Sequence, residues 1–430
     1  MLIHRETCRV CRNPYLEDVI DLGDQYFQGC FVKDGVQPPP RRPMPNKVVR
    51  CNTSKFQRGC GLVQTAHSID PDLLYCNYWY ESGISQTMKD HLKSIVDTSL
   101  DITGISSGTV LDIASNDNTL LRNYSSKFNK IGIDPSVIAA RQTDKDIKVI
   151  NTTFPSSEVN KLIPDNTADV ITSIACYYDI EDPVRFAEEI KYLLADKGIW
   201  VFEVAYWKSL LDNLAYDSIV NEHIVHYHLA PLQYIMKEAG LKLFDVQKTP
   251  TNGGSIMCYA THRDNVDYDT KERQQRILNL KISEYEAYLD QDTPYIDFRS
   301  KVEKHKEELT ALVNRIVHEE GKVIHICGAS TKLNTILNYC NIGPDTIPYA
   351  SERSPEKHGA ETISGIKLIS EEESRAMKPD YYLVGPYHFK AEILKREKDF
   401  IDSGGGFIFP LPELTVVTKD IVKQLQQALI

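Results

Sequence analysis

Cys8-Arg9-Val10-Cys11 has the spacing that lets two thiolates of one tight knuckle reach a single metal ion. Cys51 and Cys60, separated by eight residues, offer a second pair. Tetrahedral Zn²⁺ suits four thiolates, and its binding energy would help fold a segment too small for a large core. The stretch between the pairs carries Pro38, Pro39, Pro40 and Pro43 and reads as loop. Ordinary reduced cysteines are the alternative, because the second pair has a longer gap than a zinc ribbon's. Redox chemistry fits poorly, since no thioredoxin-like βαβ pattern surrounds the motif. Cys30, Cys76, Cys176, Cys258, Cys327 and Cys340 read as small buried residues.

A second constellation follows. Asp112-Ile113-Ala114-Ser115-Asn116-Asp117-Asn118 ends an apolar run, and Asp134 ends the next one, 22 residues after Asp112. A carboxylate in that place can accept both hydroxyls of a ribose. The loop has neither the Gly-Lys-Ser/Thr of a P-loop nor GxGxxG, so triphosphate and dinucleotide chemistry are disfavoured. A cofactor with a ribose and no pyrophosphate fits, and S-adenosylmethionine is the obvious one. Against this stands a bland role for Asp134, capping the turn before Pro135. The third constellation is His223, His226 and His228 beside Glu222. Such a cluster is commonly a surface or capped loop; its spacing is not HExxH.

The elements that position these residues alternate. Strands are expected at Thr109–Ile113, Lys130–Ile133, Ala168–Ile174 and Gly198–Glu203, with helices from about Thr119 and over Val184–Leu194. The β-α-β-α order predicts a parallel sheet covered on both faces. Asp112, Asn116, Asp134 and Ala175 would then cluster beyond the carboxyl ends of the strands. Residues 268–320 read as charged helix, with Phe298, Val302, Leu309, Leu312, Val313 and Ile316 as the core stripe. A second nucleotide-type start comes next: strand Lys322–Cys327, turn Gly328-Ala329-Ser330, and a helix from Thr331. The following strand, Ile347–Ser351, ends at Glu352, 24 residues beyond Gly328. The third glycine of a dinucleotide fingerprint is missing there, which disfavours a nicotinamide oxidoreductase.

Composition bounds the reading. The chain has 430 residues, enough for two or three domains, with 42% hydrophobic and 25% charged residues. A net charge of −11 argues against nucleic-acid binding through a broad basic face. Residues 1–60 hold ten Lys/Arg and six Asp/Glu, a local +4, so the rest carries −15. The first segment is therefore expected to be a separate unit. No long apolar run or signal-peptide core occurs, so membrane insertion and secretion are disfavoured and a cytoplasmic location is expected.

Taken together, several stretches resemble one family, the three-domain, zinc-containing sugar C-methyltransferases of deoxysugar pathways. They are Cys8–Cys11, Cys60-Gly61-Leu62-Val63-Gln64, Tyr78-Trp79-Tyr80-Glu81-Ser82-Gly83, Val110–Leu121 and Gly132-Ile133-Asp134-Pro135-Ser136. Tyr216-Asp217 with Glu222-His223, Asn252-Gly253-Gly254-Ser255 and Gly328-Ala329-Ser330 complete the set, in the family's order along nearly the whole chain. The resemblance implies an α/β protein of three units. These are a zinc-binding domain over 1–88, a Rossmann-like class I S-adenosylmethionine methyltransferase domain over 89–265, and a Rossmann-like nucleotide-sugar-binding domain over 266–430. It also implies that Cys8, Cys11, Cys51 and Cys60 hold a structural Zn²⁺, and that S-adenosylmethionine lies along Asp112, Ala114, Asn116, Asp117, Asp134 and Ala175.

The implied chemistry begins at a 4-keto group on a nucleotide-linked sugar, which acidifies the proton on C3. A base removes it, and the enolate carbon attacks the sulfonium methyl. The resemblance assigns the base to His223, its orientation or charge tuning to Glu222, and a donor near the sugar to Tyr80 with Tyr78. Asn252, Gly253, Gly328, Ala329, Ser330, Lys332 and Glu352 would hold the nucleotide sugar, with phosphate at a helix N-terminus. A helper domain with a tight turn is the structural alternative for the C-terminal unit. Tyr387-His388-Phe389 and Gly404-Gly405-Gly406 would line the same cleft or simply close the fold.

Four positions depart from the pattern. Relatives usually carry Gly at 114 and 118, where this chain has Ala and Asn, and His or Tyr at the positions of Asn221 and Val220. These departures allow a different acceptor sugar or a catalytically weakened nucleotide-sugar-binding protein; a separate rival, needing no acidified C–H, is O- or N-methylation of a sugar or other small molecule.

Overall fold

The structure, a computed structural model, describes residues 2–35, 40–56, 58–69 and 80–421. Tyr78 lies outside the described residues, as does Cys76.

The middle of the chain forms a seven-stranded sheet. Its spatial order is Leu241–Thr249, Ser255–His262, Leu194–Ala205, Ala168–Ile174, Gly108–Ile113, Phe128–Ile133 and Ile147–Ile150. Every strand is parallel to its neighbours except Ser255–His262, which is antiparallel to both. The near-continuous apolar runs explain this sheet, because strands covered on both faces need side chains such as Val170, Ile171, Ile199 and Val201 pointing to each side. The order reverses between Gly108–Ile113 and Ala168–Ile174, and there the carboxyl-end loops splay apart into a crevice. This is the class I methyltransferase arrangement expected from the sequence.

The expected strands are all present with ends shifted by a few residues. The helix expected from about Thr119 is replaced by a single tight turn, Leu121–Asn123. Asn123 explains the early stop: its side-chain amide donates to the Thr119 carbonyl at 2.8 Å, a carbonyl that a continuing helix would have used itself. The helix Pro183–Leu193 forms as read, with Asp182 capping the Arg185 N–H and Pro183 in the first turn.

The C-terminal unit has five parallel strands, ordered Gly406–Phe409, Tyr381–Val384, Ile324–Cys327, Tyr349–Glu352 and Lys367–Ser370. Ahead of it come the helices Lys271–Glu286 and Thr293–Asn314, and the second, with its continuation Arg315–Glu319, buries the expected stripe apart from half-buried Leu312. Among the described residues, no helix is long and apolar enough to cross a membrane.

Strand exchange was not legible in the sequence. The N-terminal unit is an antiparallel sheet of Leu16–Gln25, Met44–Cys51 and Val63–Thr65, and its fourth strand is Val225–His226 from the middle of the chain. In return, Phe31–Val32 adds to the edge of the C-terminal sheet by pairing with Glu361–Thr362. Two- and three-residue strands carry no periodicity, so only the tertiary pairing reveals them.

Candidate active site and metal centre

Cys8, Cys11, Cys51 and Cys60 come together, with their four Sγ atoms all within 4.8 Å of one another. Cys8 to Cys60 and Cys11 to Cys51 are each 3.5 Å. Four sulfurs around a tetrahedral Zn²⁺ stand roughly 3.8 Å apart, so the cluster matches the ion's size. All four are free thiols, and Asn13 Nδ2 donates to Cys51 Sγ at 3.1 Å, the outer contact that steadies a ligating thiolate. The cluster lies in the same core as Leu111 and Ile113 of the middle sheet and Tyr177 and Tyr227 of its flanking loops. Arg9, fully buried inside the knuckle, donates to the carbonyls of Thr65 and His67 and to Ser68 Oγ. The knuckle is thereby tied to the strand that carries Val63–Thr65 rather than hanging from the surface.

The crevice is lined by the loop after Gly108–Ile113. Its backbone alternates: Ala114, Asn116 and Asn118 have φ of 61°, 52° and 62°, and Ala175 has φ of 55°. These are left-handed conformations that glycine adopts freely. The loop therefore keeps a glycine-type path without glycines, at two positions by using Asn, which tolerates that region. Asp134 accepts the N–H groups of Asn116 at 2.9 Å and Ser136 at 2.7 Å. It anchors the loop and caps its turn at once, which is the capping role read from the sequence. Gly132 beneath it has no space for a side chain, because a Cβ would lie 2.5 Å from Ser115 Oγ. Asp112 accepts from Thr172 Oγ1 at 2.6 Å. Burial, together with the nearby Asp134 and Asp117 carboxylates, pushes its carboxyl up to about 7.

Segment 80–83 covers this loop. Asn116 Nδ2 donates to the Tyr80 carbonyl, and its Oδ1 accepts the Ser82 N–H. Asp117 Oδ2 accepts the Gly83 N–H at 2.7 Å. Tyr80 is held by its backbone, and its ring remains exposed. The donor set fits S-adenosylmethionine: left-handed backbone for close approach, carboxylates for a ribose and a cationic centre, and a cover segment.

His223 sits in the loop between the turn Tyr216–Ser218 and the strand Val225–His226. Its Nδ1 is 2.9 Å from the Ser218 carbonyl, which can only accept, so Nδ1 carries the proton and Nε2 keeps a free lone pair. Burial pushes the imidazole down to about 4, with the Lys332 ammonium acting in the same direction. The Tyr178 ring packs against it at 4.3 Å between centroids. His226 and His228 are buried, the first against the Trp207 ring and the second as the residue preceding the helix Leu229–Ala239, without a side-chain cap bond. Burial removes the surface reading for His226 and His228, while the capped-loop reading stands, His228 being the N-cap residue of that helix. Glu222 lays its carboxylate against the Gly29 backbone, and burial raises its carboxyl.

The expected substrate residues divide. Lys332 Nζ donates to the Asn252 carbonyl at 2.6 Å, joining the C-terminal unit to the turn Thr251–Gly253. Gly253 lines a cavity of about 380 Å³ together with Asn213, Tyr387, His388, Lys390 and Leu411. Tyr387 donates to Asp217 Oδ2 at 2.9 Å, which links that cavity to the His223 loop. Gly328, Ala329 and Ser330 stand at the amino end of the helix Thr331–Tyr339, outside the cavity lining. Glu352 accepts the N–H groups of Arg353 and Ser354 and lies 3.6 Å from Lys357. Sequence reasoning singles out Asp217 only within a matching stretch, with no role, and misses Asn213 and Tyr178 beside these loops. Each is an ordinary polar or aromatic residue whose role appears only when three loops meet.

Comparison with known proteins agrees with this architecture. Residues 8–75 match a zinc binding domain, residues 85–246 a methyltransferase domain, and residues 250–412 a C-methyltransferase C-terminal domain. The C-methyltransferase NovU of Streptomyces niveus is 28% identical over 422 residues, covering 96% of this chain and 97% of the relative. Among solved structures, the YcgJ protein of Bacillus subtilis superposes with a TM-score of 0.34 at 14% identity, over 41% of this chain and 100% of that one. An S-adenosylmethionine-dependent methyltransferase of Clostridium acetobutylicum gives a TM-score of 0.33 at 12% identity, over 40% and 92%. Carrying matches to a zinc binding domain, a methyltransferase domain and a C-methyltransferase C-terminal domain in that order, this chain is an S-adenosylmethionine-dependent methyltransferase, similar along nearly its whole length to a C-methyltransferase.

Proposed function

We propose that the enzyme methylates C3 of a nucleotide-linked 4-keto-deoxysugar, with His223 as the general base. The observation that carries this reading is the His223 tautomer: Nδ1 is committed to the Ser218 carbonyl, and the unprotonated Nε2 is left to take a proton. S-adenosylmethionine, when bound, supplies an electrophilic methyl group. Its holders in this chain are Asp112, Ala114, Asn116, Asp117, Asp134 and Ala175. His223 Nε2 accepts the C3 proton, and the electron pair left behind delocalises onto the C4 oxygen. The Lys332 ammonium, which also lowers the affinity of His223 for a proton, is the nearby charge that favours the resulting enolate. Tyr80, with Tyr78, is assigned as donor to the sugar, and Glu222 as the residue that orients the base.

The nucleotide sugar is assigned to the meeting of the middle and C-terminal units. Asn252 and Gly253 stand on one side; Lys332, Gly328, Ala329, Ser330 and Glu352 stand on the other. Backbone N–H groups at the start of the helix Thr331–Tyr339 suit a phosphate, and this is how an acidic chain accommodates an anionic substrate. Zn²⁺ on Cys8, Cys11, Cys51 and Cys60 is structural in this account. Mass spectrometry of products from a panel of 4-keto nucleotide sugars tests the proposal. A gain of one methyl group on the sugar, placed on carbon by NMR, is expected. Methylation on oxygen or nitrogen, or none across the panel, contradicts it.

A further inference from the structure

The loop that holds Glu222 and His223 has little regular structure of its own. Between the helix Trp207–Asp212 and the strand Val225–His226 it forms one tight turn, Tyr216–Ser218. Its course must therefore be set from outside, and much of the setting comes from the N-terminal unit. Asn46 Nδ2 donates to the Ile219 carbonyl at 2.8 Å. Gln28 Oε1 accepts the Asn221 N–H at 3.1 Å. The Glu222 carboxylate packs against the Gly29 backbone, and the Thr65 N–H donates to the Ile224 carbonyl at 2.9 Å.

Gln28 and Gly29 stand out among these contacts. Gln28 is fully buried, and its side chain is fixed at both ends, because Nε2 donates to Gln25 Oε1 at 2.7 Å. Its own carbonyl accepts from Asn334 Nδ2 at 2.7 Å, on the helix Thr331–Tyr339 of the C-terminal unit. Asn338 Nδ2 of the same helix holds the Tyr26 carbonyl. At Gly29 a Cβ would lie 2.4 Å from Glu222 Oε1, with Thr331 Oγ1 at 3.6 Å on its other side. Real Cβ atoms do not approach an oxygen so closely, so any side chain at 29 displaces the Glu222 carboxylate.

We propose that Gln28 and Gly29 are positioning residues for Glu222 and His223, a docking point where three units of the chain meet and the catalytic loop is aimed. This inference rests on the assignment of His223 as base and extends it. Gln28 fixes the backbone at 221, Gly29 fixes the side chain at 222, and residue 223 follows from both. Neither residue lines the cavity at Gly253, and Gln28 is fully buried.

A double-mutant cycle over Gly29→Ala and Glu222→Ala tests the proposal in the full-length protein. In the wild-type background, Gly29→Ala lowers kcat by about 10–100-fold, the cost of misplacing a catalytic group by about 1 Å. The KM of the acceptor and the affinity for S-adenosylhomocysteine stay within about twofold of wild type, since a positioning defect acts on the reacting geometry. In the Glu222→Ala background the same change has no further effect, because the carboxylate it displaces is gone. Melting temperature follows the same pattern, falling for Gly29→Ala alone and not in the double variant. That readout needs no acceptor and closes the cycle even where Glu222→Ala has no measurable turnover. Gln28→Met, which keeps the volume and removes the acceptor for the Asn221 N–H, lowers kcat in the same way. Wild-type turnover in Gly29→Ala overturns the proposal, as does an undiminished second loss in the double variant or a parallel loss of cofactor affinity. Undiminished turnover in His223→Ala overturns the base assignment instead, so the two failures are distinct.

Discussion

Replacing Asp112 by Asn is expected to stabilise the empty protein while weakening cofactor binding. The Asp112 carboxyl, buried beside Asp134 and Asp117, is pushed from 3.8 up to about 7. An acid whose folded-state pKa is raised favours folding in its protonated form. Its contribution is fully present below the ordinary value and is lost as pH rises through about 7. At about 1.36 kcal/mol per pH unit, the ionised group costs on the order of 4 kcal/mol at pH 8. Asparagine keeps the shape and can still accept from Thr172 Oγ1, without that cost. Each kcal/mol moves the midpoint of a domain this size by about 2–4 °C, so the apoprotein's midpoint at pH 8 rises by several degrees. The gain shrinks as pH falls and is absent near the ordinary aspartate value, where both proteins are neutral at this position. The cofactor is a cation, and loss of one partly buried opposite charge weakens it by about tenfold or more. Thermal melts at several pH values, with and without S-adenosylmethionine, and calorimetric titrations measure both effects. An Asp112→Asn variant that melts below wild type at pH 8, or binds S-adenosylmethionine equally well, refutes the reasoning.

Further outcomes follow from the same geometry. His223→Ala is expected to lower turnover by about 10²–10⁴-fold while S-adenosylhomocysteine affinity changes by less than a few fold; calorimetry and product assays decide. Because burial holds His223 near 4, the base is already unprotonated above about pH 5, so kcat/KM shows no acid limb near 6.5 from this residue. A limb at 6.5 that disappears with His223 would contradict the buried, neutral tautomer. Ala114→Val places a β-branched residue at φ of 61° and is expected to cost about 2 kcal/mol or more, with loss of cofactor binding. An unchanged melt and unchanged affinity would show that the left-handed path at 114 is dispensable. Metal analysis is expected to give one zinc per chain, and Cys60→Ser to lose the metal and melt about 5 °C or more lower. Fully folded, metal-free wild-type protein would remove the structural role.

Much of the site was legible from residues whose chemistry needs a fixed spacing. The CxxC knuckle and the carboxylates that end successive strands are local patterns, whereas the Glu-His pair stands out only through the family resemblance. Legibility stopped where geometry is made by contact between distant segments. Nothing local in Gln28-Gly29 announces that it docks on Asn221-Glu222, and nothing in Val225-His226 marks an edge strand of the zinc unit. Ala114 shows a different limit: its side chain argues against a left-handed turn, yet tertiary contacts such as Asp134 on the Asn116 N–H hold the loop in that path. Lys332 reads in the sequence as a phosphate ligand from its place at a helix start, whereas its contact with the Asn252 carbonyl and its influence on His223 also draw it toward the reacting centre.

The central claim is that this chain forms an enolate by removing the C3 proton before methyl transfer. Incubating the enzyme in D₂O with a 4-keto nucleotide sugar it methylates, but without S-adenosylmethionine, tests that claim most directly. Deuterium entering C3 with the wild-type enzyme, and not with His223→Ala, is the predicted result. No exchange at C3 by an enzyme that methylates the same sugar would contradict the account.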